Sequence, residues 1–225
     1  MKTKKIVITG GPATGKTTMI NHLRCKGYSC FEEVVRKLTS AAIDVENIKE
    51  THSNPIELVA DSEKFNQMLL DMRLADFVRS QTLQNDVCFF DRGTPDVLAY
   101  MTCFDQPIKQ SFVDLCKAHM YDFIFLLPPW ELIFTQDTER FETFSQAKEI
   151  YMQLKETYSN LGYQVIEVPI GTVEKRVEFI LKSISSLKLT APTIFPSNEY
   201  ISEFVPIPFP SASKTDIVIS SKSAS

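Results

Sequence analysis

The short apolar run Ile6-Val7-Ile8 leads into Gly10-Gly11-Pro12-Ala13-Thr14-Gly15-Lys16-Thr17, and Thr18-Met19-Ile20-Asn21-His22-Leu23 follows. Glycine, four free positions, glycine, lysine and threonine between a strand and a helix form the pattern of a phosphate-binding loop. The residue types follow from the task. Backbone N–H groups converge on an anion where side chains do not crowd them, and a helix starting near Gly15 adds its positive dipole end and unpaired first N–H groups. Gly10 to Thr18 are therefore the expected nucleotide-binding residues. Lys16 is expected to reach the β- and γ-phosphates, and Thr17 to offer its hydroxyl to Mg²⁺.

A strand, loop and helix of this kind need more chain to close a sheet. The 225 residues suffice for one α/β domain with appendages. Helix 1 should stop at Gly27, and Tyr28 to Phe31 reads as a second strand. Glu32-Glu33-Val34-Val35-Arg36-Lys37-Leu38 reads as a helix start with carboxylates in its first turn. Ligands of open parallel sheets lie off the carboxyl ends of the strands, which makes Glu33, with Arg36 one turn on, a candidate site pair. Asp44 to Asn54 reads as a loop or lid. From Ser62 to about Gln84, Phe65, Met68, Leu69, Met72, Ala75 and Val78 mark a buried helical stripe. Arg73 and Arg79 fall off that stripe and read as solvated.

Val87-Cys88-Phe89-Phe90 is a continuous apolar strand closed by Asp91-Arg92-Gly93. A carboxylate at that place, downstream of a phosphate loop, suits a residue that orders Mg²⁺ or takes the acceptor's proton. Pro95 and Pro107 suit helix starts, the second helix running to Met120. Tyr121 to Leu127 is a fourth strand halted by Pro128-Pro129. Trp130 then reads equally as core filler or as a flat wall of the substrate pocket. Asp137 to Thr143 is a charge run ahead of an amphipathic helix through Leu161, and its Arg140 can close over a transferring phosphoryl group. Tyr163 to Pro169 is the fifth strand. Thr172 caps a last helix, Val173 to about Ser186, and backbone from Pro169 to Thr172 can border an adenine.

Beyond Leu187 the composition turns to proline (Pro192, Pro196, Pro206, Pro208, Pro210) and serine. The expected organisation is a domain over 1–186 and a tail over 187–225 that includes apolar residues able to dock. Lys and Arg total 24 against 28 Asp and Glu, a net charge of −4, which provides no field for nucleic acid or an anionic membrane. The five cysteines have no metal-type spacing and read as reduced thiols. No apolar run approaches a membrane span, and the basic start lacks a signal-type core, so a cytoplasmic protein is expected.

The loop Gly10 to Thr17, Glu33-x-x-Arg36, Asp91-Arg92-Gly93-x-Pro95-Asp96, Leu126 to Glu131, Asp137 to Phe144 and Gly162 to Pro169 together resemble the NadR-type AAA domain family. Those P-loop proteins are related to ribosylnicotinamide kinase and to nucleoside and nucleotide kinases. The resemblance covers about residues 4–186. It implies a P-loop NTPase fold: three α/β/α layers on a five-stranded parallel sheet in order 2-3-1-4-5. It also implies that Lys16 and Thr17 hold nucleotide phosphates and Mg²⁺, that Asp91 and Arg92 occupy a strand-end kinase site, and that Arg140 lies in a lid.

The leading expectation is transfer of a phosphoryl group from ATP to a small nucleoside- or nucleotide-like acceptor. Lys16, Mg²⁺ and Arg140 would offset developing charge, Glu33 or Asp91 would orient or deprotonate the acceptor, and Arg36 or Arg92 would grip it. The alternative is an ATP- or GTP-dependent regulatory module with slow hydrolysis. A guanine-specifying N-K-x-D after strand 4 would favour that alternative, but Pro128-Pro129-Trp130 stands there. A ring-forming mechanical ATPase is disfavoured because the chain has no room for the added helical domain.

Overall fold

The apolar runs become the strands of one parallel sheet in a computed structural model that describes residues 2–33, 62–134 and 143–187. In chain order the elements are β1 (Lys4–Gly10), α1 (Lys16–Cys25), β2 (Ser29–Phe31), α2 (Ser62–Ser80), β3 (Val87–Asp91), α3 (Pro95–Cys103), α4 (Gln110–Ala118), β4 (Phe123–Leu127), α5 (Phe144–Asn160), β5 (Val165–Glu167) and α6 (Val173–Leu187). A short 3₁₀ turn, Glu131–Ile133, follows β4. The strand order is β2-β3-β1-β4-β5, as the resemblance implied. The register sets Ile8 beside Asp91 and Gly10 beside Leu127, so the phosphate loop and the Asp91 turn leave the same edge of the sheet.

Alternation along the strands divides the core. Ile6, Ile8, Phe89 and Phe125 face Met19, Ile20 and Leu23 of α1 and Val177, Ile180 and Ile184 of α6. Val7, Cys88, Phe90, Ile124 and Leu126 face Phe77 of α2, Ala99 of α3, and Ile150, Leu154 and Tyr158 of α5. A third cluster joins α2, α3 and α4 through Leu70, Leu74, Leu98, Met101 and Phe112. The central strands are buried on both faces, which is why they read as unbroken apolar runs. Val168 N–H continues the pairing to Leu126 C=O just past β5. Thr143 and Gln146 make a reciprocal capping box that starts α5 after the charge run, and Thr172 caps α6. All five cysteines are free.

Three local expectations are corrected. Glu32 and Glu33 are not helical; they follow β2 as irregular chain, and the rest of that segment lies outside the described residues. The helix expected from Pro107 begins at Gln110, with Lys109 at its N-cap, and ends at Ala118. The buried face of α2 carries Phe65, Asn66, Leu69, Leu70, Arg73, Leu74, Asp76, Phe77 and Ser80, whereas Met68 and Ala75 face solvent. Polar residues with buried tasks occupy part of that face, so its apolar period misplaces the stripe. The Asp44 to Asn54 loop, the tail, Arg36 and Arg140 lie outside the described residues.

Candidate active site

The phosphate loop begins where β1 runs out. Gly10 has no room for a side chain, since a Cβ there would lie 2.7 Å from the Leu127 carbonyl oxygen. Ala13 (φ 54°) and Gly15 (φ 84°) are left-handed, and Gly15 is the N-cap of α1. Left-handed turns within such a loop curve successive N–H groups into an anion-binding concavity. The Thr14 hydroxyl donates to Gly11 C=O at 2.9 Å and fixes the curvature. Lys16 folds inward and is buried, with Nζ donating to Gly10 C=O (2.8 Å) and Gly11 C=O (2.6 Å). Burial, then the neighbouring Arg92 charge, lower its ammonium to about 7, against a partial opposing pull from Asp91 and Glu33. Thr17 is half-buried and Thr18 exposed in the first turn of α1.

Across from the loop, Arg92 adopts a left-handed backbone (φ 73°) that turns its side chain back over the strand ends. Its Nε donates to Glu33 Oε2 at 2.7 Å, and its Nη1 donates to Gly10 C=O at 3.2 Å and Asp96 Oδ1 at 3.1 Å. One guanidinium thus ties β2, the phosphate loop and α3 together. Arg73, reaching in from α2, donates to Gly93 C=O at 3.2 Å and lies 3.4 Å from Glu33 Oε1. Burial alone would raise the Glu33 carboxyl, but Arg92, Arg73 and Lys16 outweigh it and hold the group below its usual range.

Asp96 is fully buried and accepts from the Thr9 hydroxyl (2.5 Å), Gly93 N–H (3.0 Å) and the Tyr158 hydroxyl (2.5 Å), besides Arg92. Its carboxyl is held low despite burial, through Arg92, Arg73 and those hydroxyls. Asp91 differs. It is buried, yet its Oδ1 has no hydrogen-bond partner, and burial followed by the Glu33 charge raises it to about 6. A pocket beside it is lined by Phe31, Glu32, Arg73, Asp76, Phe90, Asp91, Arg92 and Tyr121.

Of the residues singled out in the sequence, Lys16, Glu33, Asp91 and Arg92 meet at this sheet edge. Trp130 is half-buried in the segment after β4 and is not among the residues lining that pocket. Arg73 corrects its reading as solvated, being only 6% exposed, while Arg79 is exposed as expected and pairs with Asp76. Thr9, Tyr158 and Arg176 escaped the sequence reading, and Asp96 entered it only as the last residue of the Asp91-to-Asp96 motif, with no role assigned. The spacing of Arg73 from Leu69 and Phe77 was a usable signal, because those positions share one helix face. Among the described residues no three His, Cys, Asp or Glu side chains cluster to hold a metal. Mg²⁺ does not need such a cage, since one or two carboxylates and nucleotide phosphates usually suffice. The unpartnered Asp91 oxygen and the Thr17 hydroxyl fit that requirement.

A family model described as an AAA domain matches residues 5–176. The chain belongs to this family, as a NadR-type P-loop AAA domain with a kinase-like fold. No curated protein matches it. Solved structures similar to this NadR-type domain include a NadR protein in complex with NAD and AMP-PNP (TM-score 0.61, 16% identity, 87% of this chain and 52% of that one). They also include deoxyadenosine kinase from M. mycoides (TM-score 0.57, 17% identity, 81% and 99%) and thymidylate kinase from Candida albicans (0.62, 16%, 83% and 93%). The NadR-type domain spans about half the length of the NadR protein. At these identities the likeness establishes the fold of nucleotide-binding kinases, and activity has to be argued from the site. Among the described residues no helix is long and apolar enough to cross a membrane.

Proposed function

We propose that the chain is an ATP- and Mg²⁺-dependent kinase that moves the γ-phosphoryl group of ATP to a small nucleoside- or nucleotide-like acceptor, as a cytoplasmic enzyme whose catalytic domain spans 1–186. The observation that carries this reading is the buried, unpartnered Asp91 oxygen at the edge shared with Lys16 and the phosphate loop. A buried acceptor atom without a donor is costly to keep in a fold, and it suits a group whose partner is a ligand.

In this reading the loop N–H groups and Lys16 hold the β- and γ-phosphates, and Lys16 offsets charge on the transferring oxygens. Thr17 and Asp91 would hold Mg²⁺, which supplies further charge neutralisation at the phosphates. The acceptor is placed at the Asp91 edge of the sheet, where Glu33, fixed between Arg73 and Arg92, would orient it by hydrogen bonding. As the acceptor oxygen bonds to γ-phosphorus and the bond to the β–γ bridging oxygen breaks, the acceptor's proton passes to a carboxylate. Glu33 and Asp91 are the two carboxylates at this edge that could take it; arginines occupy Glu33, and Asp91 serves as base only through an oxygen that Mg²⁺ leaves free. Arg140 and Arg36 complete the proposal as a lid cation and an acceptor contact, and Trp130, which does not line the pocket beside Asp91, is given no acceptor contact there.

Asp91→Asn tests it by removing a charge and keeping the shape. The variant should bind ATP with modest loss and transfer phosphoryl groups about 10²-fold or more slowly to acceptors drawn from a pool of nucleosides and nucleotides. A wild type that phosphorylates nothing in that pool, while nucleotide alters protease sensitivity around residues 44–54 and 137–143, would replace the kinase reading with a nucleotide-dependent switch.

A further inference from the structure

Arg176 lies in the first turn of α6 and meets the phosphate loop at Thr14, whereas Arg92 meets it at Gly10. It is 3% exposed, and its Nη1 donates to the Thr14 carbonyl at 2.9 Å across 162 positions of sequence. That nitrogen sits 3.3 Å from where a Gly15 Cβ would be, so the guanidinium lies flush against the loop. Its Nε is buried without a hydrogen-bond partner. Among the described residues it makes no ion pair with a carboxylate, and its charge also faces the positive end of its own helix, where cations are disfavoured. A buried, unpaired cation at a helix N-terminus weakens the unliganded fold. What it gains is a place directly behind an anion-binding loop.

We propose that Arg176 is a positioning residue of the phosphate loop: it fixes the Thr14–Gly15 peptide so that the Gly15 N–H points at the bound polyphosphate, and the polyphosphate supplies its missing counter-charge. The geometry follows from the planar trans peptide, in which C=O and N–H point in opposite directions. With the Thr14 oxygen held by a guanidinium on the outer side, the Gly15 N–H is directed to the inner side. Gly15 is left-handed and has no side chain to restrict rotation of that peptide plane, so an external anchor is what holds it. A charge-assisted bond to the oxygen also polarises the same peptide and strengthens its N–H as a donor. The inference rests on the nucleotide-binding reading of residues 10–18, and it concerns the phosphates rather than the base or the acceptor.

The test compares wild type with Arg176→Met, which keeps much of the volume, and Arg176→Lys, which keeps a charge without the planar fork. Thermal unfolding is measured alone, with Mg·ATP and with inorganic tripolyphosphate. Arg176→Met should melt no lower than wild type without ligand, yet bind both ATP and tripolyphosphate about tenfold or more weakly, the scale of a lost charge-assisted hydrogen bond. Arg176→Lys should fall between them. A variant that melts lower without ligand but binds tripolyphosphate as tightly as wild type would make Arg176 a packing residue and overturn the inference. Weakened ATP binding with unchanged tripolyphosphate binding would also overturn it. If Arg176→Met does not fold, equal tripolyphosphate affinity of Arg176→Lys and wild type is the overturning result. A wild type that binds neither ligand would bring down the nucleotide reading itself, an outcome distinct from a wild type that binds and a variant that binds equally.

Discussion

From Gly10 to Thr17 the groups that would meet a phosphate are mostly backbone N–H, shaped by two left-handed residues and one inward lysine. Opposite them, Glu33, Arg73, Asp91, Arg92 and Asp96 bring side chains from β2, α2, β3 and α3, and Tyr158 adds a hydroxyl from α5. The loop is contiguous in sequence and separable from the core. The carboxylate–arginine cluster is assembled from distant positions and is itself part of what holds the helices to the sheet. Damage to the first should therefore cost ligand affinity, and damage to the second should cost stability.

Asp96→Ala gives the sharpest break on the cluster side. It would leave Arg92, Gly93 N–H and the Thr9 and Tyr158 hydroxyls facing a buried gap, and breaking a buried charge pair typically costs about 3–5 kcal/mol. Urea unfolding monitored by circular dichroism should show that loss. An unchanged midpoint would mean that the cluster is as separable as the loop. Lys16→Ala is the matching change on the loop side. It should alter the unfolding midpoint little, since it removes a desolvated cation, while ATP affinity measured by titration falls about tenfold to 100-fold. Unchanged ATP binding would refute the phosphate-loop assignment.

Titration should separate the two halves again. The folded state holds Lys16 near 7, so between about 7 and 10 the unfolded chain binds a proton that the folded chain does not, and stability from this group rises with pH. Asp91, held near 6, does the reverse: between about 4 and 6 the folded chain binds the extra proton, and its contribution falls as pH rises. Thermal unfolding from pH 4 to 10 should lose the alkaline rise in Lys16→Ala and the acid-side fall in Asp91→Asn. Either feature surviving in its own variant would show that another group carries it.

This contrast also explains what could be read in the sequence. The loop, the central strands and Asp91 were legible because each is a short contiguous pattern whose neighbours in sequence are its neighbours in space. Strand order came through resemblance to related proteins, since apolar runs such as Val87 to Phe90 and Phe123 to Leu127 do not specify which strand each pairs with. The role of Asp96 could not be read from its motif because its four donors come from β1, the turn after β3, and α5. Arg176 stands in the charged stretch Glu174-Lys175-Arg176 with no motif to mark it, and only the fold places it against Thr14. Hydrophobic periodicity failed on α2 for a related reason: Arg73 and Asp76 take buried positions that the pattern assigns to solvent.

The smallest expected effect lies on that same helix and tests whether burial, rather than residue type, separates an arginine that matters from one that does not. Arg73 and Arg79 are six positions apart, and sequence pattern treats them alike. Arg79 has a side chain 68% exposed and rests over the Phe31 ring, and it pairs at 2.9 Å with Asp76, whose side chain is only 11% exposed, so the arginine's end of the pair is the part open to water and salt. A pair whose cation is solvated contributes on the order of 1 kcal/mol, so Arg79→Ala should shift the unfolding midpoint slightly and leave ATP binding unchanged. Arg73→Ala removes the donor to Gly93 C=O and one of the two cations holding Glu33, both in buried surroundings, and should cost roughly 1–3 kcal/mol. Added salt sharpens the comparison, because screening weakens the exposed pair and reaches the buried one far less. If the two variants lose equal stability at low and high salt, the Glu33 clamp contributes no more than a surface ion pair, and the acceptor side would have to be held in shape by Asp96 and Arg92 without Arg73.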